Sequence, residues 1–312
     1  MVKVELCEYN GWKDCVRISN DRIEVIAATQ IGPRVLRFAF LGGNNIFYEK
    51  AGQQGLTGGD EWRIYGGHRL WHGPQIGFRP NEPDNERISY ELLKDGVVLT
   101  GNRETLSGMR KQLTIRIPSD GAEVEVLHEI RNQTVWPVEL TAWALSVMAG
   151  GGLAIWPNTK RDTGFLPNQA LVTWPYTNLE DSRLNICKDY IALKQDSRVE
   201  DWFKAGTGNV EGWAAYLLEQ TVFLKKYKHI MDANYSDMGS SFEIYTDLEI
   251  IELESLSPIT KLKPGENLRH RESWRLLTAE ELGLDIQVEG KVLEDSLYGT
   301  LMRLLSPASV QQ

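Results

Sequence analysis

One segment gathers side chains able to grip a polar ligand and move protons: Tyr65-Gly66-Gly67-His68-Arg69-Leu70-Trp71-His72-Gly73-Pro74-Gln75-Ile76-Gly77. Its two histidines, arginine and aromatic rings sit in a run punctuated by Gly and Pro. That composition predicts a surface loop, where binding and catalytic groups concentrate. Aromatic faces beside a few convergent polar groups suit a sugar, whose C–H faces stack on rings while its hydroxyls take directed hydrogen bonds. The plainer reading is a solvated turn that caps a sheet. A second candidate is Asp247-Leu248-Glu249-Ile250-Ile251-Glu252-Leu253-Glu254-Ser255, where two-residue alternation puts Glu252 and Glu254 on one face. Close carboxylates raise each other's pKa, which suits general-base chemistry; at a sheet edge they are simply solvated.

Other residues carry weaker signals. Alternation places His128 with Val124, Val126 and Ile130, which favours a hydrogen-bonded core histidine over a catalyst. Lys225 and Lys226 fall on opposite faces of a strand, so at most one reaches a pocket, where it would suit an anionic sugar. His270 and Glu272 share a face with Trp274 and read as a buried polar pair supporting the sheet. Trp156-Pro157-Asn158 and Trp174-Pro175-Tyr176 offer rings either for stacking over a groove or for core packing. Glu61, Asp84 and Glu86 could supply the carboxylate pair of a glycosidase or lyase. No GxSxG elbow, Walker loop or Rossmann fingerprint occurs in a strand–helix setting.

Composition bounds the scaffold that must hold these groups. The 312 residues are 42% hydrophobic and 25% charged, ordinary for a globular protein with a large core. That length fits one β-sandwich domain spanning 1–312. The net charge of -9, with basic residues dispersed, argues against a nucleic-acid partner. No uninterrupted apolar run is long enough to cross a membrane as a helix. Cys7, Cys15 and Cys187 form no CxxC pair, which argues against a zinc or thioredoxin-like site. Their odd number, and an N-terminus lacking an apolar leader, predict a reducing cytoplasm.

Strands are predicted almost throughout. Alternating runs cover 21–27, 34–40, 88–93, 96–101, 111–117 and 122–131, then 211–218, 221–227, 242–256 and 268–277. Turn residues separate them, as in Lys94-Asp95-Gly96, Pro118-Ser119-Asp120-Gly121 and Lys263-Pro264-Gly265-Glu266. Residues 156–201, rich in Pro, Asn and Trp, predict long loops over one face of the sheet. Thr278 and Glu281 have capping-box spacing for a short helix. The reading is a large antiparallel all-β sandwich with few short helices.

Three blocks then carry a family resemblance. They are Gly32-Pro33-Arg34-Val35-Leu36-Arg37-Phe38, the Gly66–Gln75 stretch, and a closing pattern from Ile251-Glu252-Leu253-Glu254 through Lys263-Pro264-Gly265-Glu266 to His270-Arg271-Glu272-Ser273-Trp274. In order and spacing the chain resembles the galactose mutarotase-like β-supersandwich superfamily of aldose 1-epimerases and hexose-phosphate epimerases. The resemblance implies interconversion of sugar anomers. A glutamate takes the anomeric hydroxyl proton, a histidine protonates the ring oxygen, the ring opens, C1 rotates and the ring closes on its other face. Such acid–base catalysis uses no metal or cofactor. Carried over by position, Glu254 matches the base, with Glu252 as a fallback. His68, Arg69 and His72 match the sugar-contacting loop, with either histidine as acid and Arg69 and Trp71 as binding residues.

One departure bears on activity. Family epimerases often place the acid histidine on the strand after an N-x-T…Pro pattern; here that strand carries Trp143, and no histidine lies between His128 and His229. Tryptophan stacks on sugars but does not donate a proton to a ring oxygen at neutral pH. Either His68 or His72 supplies the acid, or the chain binds carbohydrate without turning it over, with Trp143 and Trp156 among the binding rings. A polysaccharide lyase or hydrolase is the third expectation. The expected partner is a small sugar or sugar phosphate, with neither nucleic acid nor membrane, and the expected state is monomer or homodimer.

Overall fold

The computed structural model describes residues 1–75, 82–162, 164 and 166–306, so Ile76 and Gly77 of the first candidate segment lie outside the described residues. Strands β1 (Lys3–Tyr9), β2 (Trp12–Ser19), β3 (Ile23–Ala28), β4 (Arg34–Phe40) and β5 (Gly67–Gly73) pair antiparallel, each with the next, in a first sheet. The chain then crosses to a second sheet and lays down a meander of β6 (Ser89–Leu92), β7 (Gly96–Arg103), β8 (Met109–Arg116) and β9 (Glu123–Asn132). β10 (Val138–Ala149) returns to pair with β5, and β11 (Leu153–Pro157) goes back to the second sheet. Short strands follow on both sheets: β12 (Leu171–Thr173) on the first, β13 (Leu184–Ile186) and β14 (Tyr190–Lys194) on the second. β15 (Phe203–Thr207), β18 (Phe242–Thr246) and β19 (Ile250–Leu256) complete the first sheet, and β20 (Thr260–Leu262) pairs with β10. β16 (Trp213–Leu218), β17 (Thr221–Tyr227) and β21 (Asn267–Thr278) complete the second. This is the expected all-β antiparallel sandwich.

Three local expectations change. The Gly66–Gln75 segment holds a central strand, β5, hydrogen-bonded between β4 and β10, rather than a loop. Its glycines serve close approach: a Cβ on Gly67, at φ 72°, would lie 2.0 Å from the Val35 carbonyl oxygen. The run 242–256 is a hairpin, not one strand, because the Asp247 carboxylate accepts from the amides of Glu249 and Ile250 and turns the chain between β18 and β19. Thr278 and Glu281 do exchange both capping-box bonds, at 2.8 and 3.0 Å, yet close only a turn, since Gly283 follows at φ 61°. The long helix lies further on, at Lys291–Leu305, where Leu297, Tyr298 and Leu301 cover an apolar patch of Ile155, Trp213 and Leu224 on the outer face of the second sheet.

Between the sheets the core is apolar except at one place. Phe38, Phe47, Phe223 and Trp274 form a cluster with centroids 5.5 to 6.4 Å apart. Beside it lie His68, His128, His270, Lys225 and Glu272, all nine-tenths or more buried. The Lys225 ammonium donates to Glu272 at 2.8 Å and to the Leu253 and Ala144 carbonyls at 2.9 and 3.3 Å. Glu272 also accepts from Ser255 at 2.5 Å and from the Trp274 indole at 2.7 Å. His128 Nδ1 is 3.1 Å from the His270 carbonyl, so it carries the proton. His128 Nε2 then accepts from His68 Nε2 at 2.7 Å, and His68 Nδ1 accepts from Ser146 at 2.9 Å. Neutral imidazoles satisfy this chain completely, so His128 is a core histidine and His270 and Glu272 support the sheet.

Two outcomes follow. Lys225→Met strands the Glu272 carboxylate and should lower stability by about 3–5 kcal/mol in urea unfolding, whereas Lys225→Met with Glu272→Leu should recover most of it. Burial also holds the three imidazoles below their ordinary value of 6.5, His270 down to about 3. The unfolded chain takes up these protons first, so their contribution to stability is complete above pH 6.5 and is lost as pH falls toward 3. The urea midpoint should therefore drop between pH 7 and pH 5; a flat profile would contradict neutral burial.

Candidate functional site

On the outer face of the first sheet, register brings β5, β10, β19, β18 and β15 into rows. Arg69 pairs with Leu145, Leu145 with Glu254, and Glu254 with Glu243. In the next row Val147 pairs with Glu252, Glu252 with Tyr245, and Tyr245 with Lys204. Trp71 and Trp143 pair in the row on the other side. Alternation on each strand sends the intervening residues, such as Leu70, Ser146, Leu253 and Phe203, toward the core. Above these rows opens a cavity of about 940 Å³, walled by Trp71, Trp143, Trp174, Tyr176 and Tyr245.

Charge is concentrated on its floor. The Lys204 ammonium lies 2.8 Å from Glu243 and 2.9 Å from Glu254, and over the Trp143 and Trp174 rings at 4.7 and 5.0 Å. Burial disfavours that charge, but the two carboxylates outweigh it and hold Lys204 above the ordinary lysine value. Glu254 also accepts from the Trp143 indole at 2.6 Å and is fully buried. Burial pushes the Glu243 carboxyl up to about 8 against the pull of Lys204, and its Oε1 has no hydrogen-bond partner. Burial likewise pushes Glu252 up to about 7, against the attraction of Arg69 at 3.3 Å. Arg69 is stacked 4.2 Å over Trp71 and 5.4 Å from Trp62, and its Nε and Nη1 have no acceptor.

The arrangement sorts the expected site residues. Arg69, Trp71, Trp143 and Glu252 line the cavity together. Glu254 lies beneath it, with both oxygens engaged by Lys204 and one by Trp143, so it anchors the floor and is not a free base. His68 and His72 alternate with Arg69 and Trp71 and point to the other side of the sheet. His68 belongs to the core network, and His72 Nε2 lies 3.4 Å from Glu104. Burial raises Glu104, but Lys111 and His72 together draw it down to about 2. Neither histidine can reach a ligand in the cavity, because successive residues of a strand point to opposite faces. Trp156 is 1% exposed and packs 5.5 Å from Phe242 in the main core, so it is no stacking ring.

Sequence reasoning missed Lys204, Glu243 and Tyr245. Alternation in Phe242-Glu243-Ile244-Tyr245 and Trp202-Phe203-Lys204 carries the signal. Reading 242–256 as one strand hid the hairpin that sets Glu243 opposite Glu254. Among the described residues one group, His68, His128 and Glu272, has metal-ligand spacing, but its hydrogen bonds are already complete.

No protein-family model matches the sequence, and no curated protein sequence does either. Solved structures do resemble the fold. A galactose mutarotase-like protein from Lactobacillus casei superposes with a TM-score of 0.56 at 11% identity, over 84% of this chain and 100% of that one. An Escherichia coli K12 protein assigned as an aldose 1-epimerase gives 0.52 at 11% identity, over 89% and 100%. A TPR-domain containing protein from Parabacteroides distasonis gives 0.58 at 12% identity, over 88% of this chain but 48% of that one. The chain therefore has the galactose mutarotase-like fold. No helix among its described residues is long and apolar enough to cross a membrane.

The floor makes a direct prediction. Trp143→Phe keeps an aromatic ring but removes the indole donor to Glu254, and should cost about 1.5–3 kcal/mol in urea unfolding, the worth of a hydrogen bond to a charged group.

Proposed function

We propose that this chain binds a sugar in the aromatic-walled cavity and interconverts its anomers, with Glu252 as base and Glu243 as acid. The observation that carries the reading is geometric: two carboxyls, Glu252 and Glu243, line the floor of one aromatic-walled cavity, and burial raises both above the usual carboxylate range. Burial raises both into the range where a carboxyl can give or take a proton near neutral pH. They sit diagonally across β18 and β19, with backbones about 7–8 Å apart, a spacing that leaves room for a sugar's anomeric centre.

Glu252 would take the proton from the anomeric hydroxyl as the C1–ring oxygen bond breaks, and Glu243 would give its proton to the ring oxygen. Rotation about C1–C2 and reversal of the two transfers close the other anomer. Trp71 and Trp143 would stack on the sugar, and Lys204 would hold the Glu243 proton in place by fixing its other oxygen. The fold-level likeness to mutarotase-like proteins supports the same chemistry, with a carboxylic acid in place of the histidine. A second reading, binding without turnover, draws support from the absence of any histidine among the described residues lining the cavity.

Anomer exchange followed by NMR saturation transfer across free and phosphorylated sugars tests the proposal. The rate should rise from pH 5 to 7 as Glu252 ionises and fall above pH 8 as Glu243 loses its proton. Glu252→Gln should lower it by roughly 10²–10⁴-fold. Ligand-induced line broadening with no exchange in the wild type would favour the binding reading.

A further inference from the structure

The cavity is larger and more graded than a single sugar ring requires. Its volume of about 940 Å³ stands near the top of the roughly 300–1,000 Å³ range of pockets that enclose drug-sized ligands, and one hexose fills only a fraction of it. Its aromatic rings also change character from floor to mouth. At the floor, beside Glu252 and Glu243, Trp143 is 6% exposed and held by a hydrogen bond to Glu254. At the mouth Trp62, Tyr176 and Trp202 are 45%, 42% and 60% exposed.

These outer rings are grouped on two walls. Tyr176 and Trp202 stand edge to face, with centroids 6.2 Å apart and planes at 88°. Trp62 stands edge to face with Trp71, at 6.4 Å, on the wall that carries Arg69. Large rings left this open are costly in water, and a group of them rimmed by polar side chains marks a surface kept for a ligand. The rim supplies those polar groups: Lys50 and Glu249, paired at 2.6 Å, and Asp247.

We infer that the cavity takes the reducing end of a short oligosaccharide, the terminal ring over the carboxyls and the following rings stacked on Trp62, Tyr176 and Trp202 at the mouth. The inference rests on the sugar-binding reading of the same site. Its physical basis is the order of functions along the cavity. The groups able to act on an anomeric carbon are at the bottom, beside the nearly buried Trp143. The outer rings are two indoles and the Tyr176 phenol, which burial holds above its ordinary value, so none gives or takes a proton near neutral pH and they contribute affinity and length selection rather than chemistry.

The test compares mono-, di- and trisaccharides of matched linkage, such as glucose, maltose and maltotriose and their β-1,4 and galacto-configured counterparts, by calorimetric titration of the full chain. Affinity should rise about three- to tenfold with each added ring in at least one series, the worth of one ring contact. Trp202→Ala, at a position 60% exposed, should narrow the gap between monosaccharide and trisaccharide in that series. Equal affinity at every length, with monosaccharides still bound, would overturn this inference and leave the sugar-binding reading standing. No binding of any sugar would overturn both.

Discussion

Lys225 carries a charge into the space between two β-sheets, and the packing of the site strands follows from how that charge is met. Glu272, on the neighbouring strand β21, neutralises it, while the Leu253 and Ala144 carbonyls take its remaining donors. Those carbonyls belong to β19 and β10, the strands whose opposite faces carry Glu252, Glu254 and Trp143. A buried ion pair adds little net stability over an apolar pair, because desolvating two charges offsets their attraction. It does penalise any register that leaves a donor unmet. A shift of β10 or β19 by one residue would turn Ser146 and Ser255 outward and break the contacts to His68 and Glu272.

The outer face repeats the arrangement with one difference. Lys204 lies between two carboxyl groups, Glu243 and Glu254, instead of beside one, and it does so on the floor of a cavity. Glu254 is fully engaged and Glu243 only half so, which leaves one oxygen of Glu243 unpaired and its carboxyl easy to protonate. Glu252, one row away, has Arg69 for company at a longer 3.3 Å. Glu243 and Glu252, on adjacent strands, are thus both raised by burial, each against the pull of a different cation. His68, His128 and His270, by contrast, belong to the core, where burial keeps them neutral.

Much of the fold was legible as alternation. Runs such as Val124-Glu125-Val126-Leu127-His128 read directly as half-buried strands, and the turns between them followed from Gly, Pro and Asp. The core role of His128 and the support role of His270 and Glu272 were readable on the same ground. The Gly66–Gly73 stretch misled because its glycines look like loop punctuation, when they are there to let a central strand pass close to the Val35 carbonyl. Glu254 misled differently. It was placed on the correct face, but its partner Lys204 lies 50 residues away and nothing local announces it.

The sequence by itself determined which residues share a face, because strand period is a local property of the backbone. It therefore put Glu252 with Glu254 and, read strictly, already separated His68 and His72 from Arg69 and Trp71. What only the tertiary structure decided is which faces meet and which face holds the cavity. Pairing of β10 with β19, and of β18 with β15, joins residues from distant parts of the chain, and the cost of burying their charges without partners selects the register. Hence the acid–base candidates moved from histidines and Glu254 to Glu243 and Glu252. A carboxyl's pKa depends on the cations and the burial around it, and these exist only once the sheets have formed.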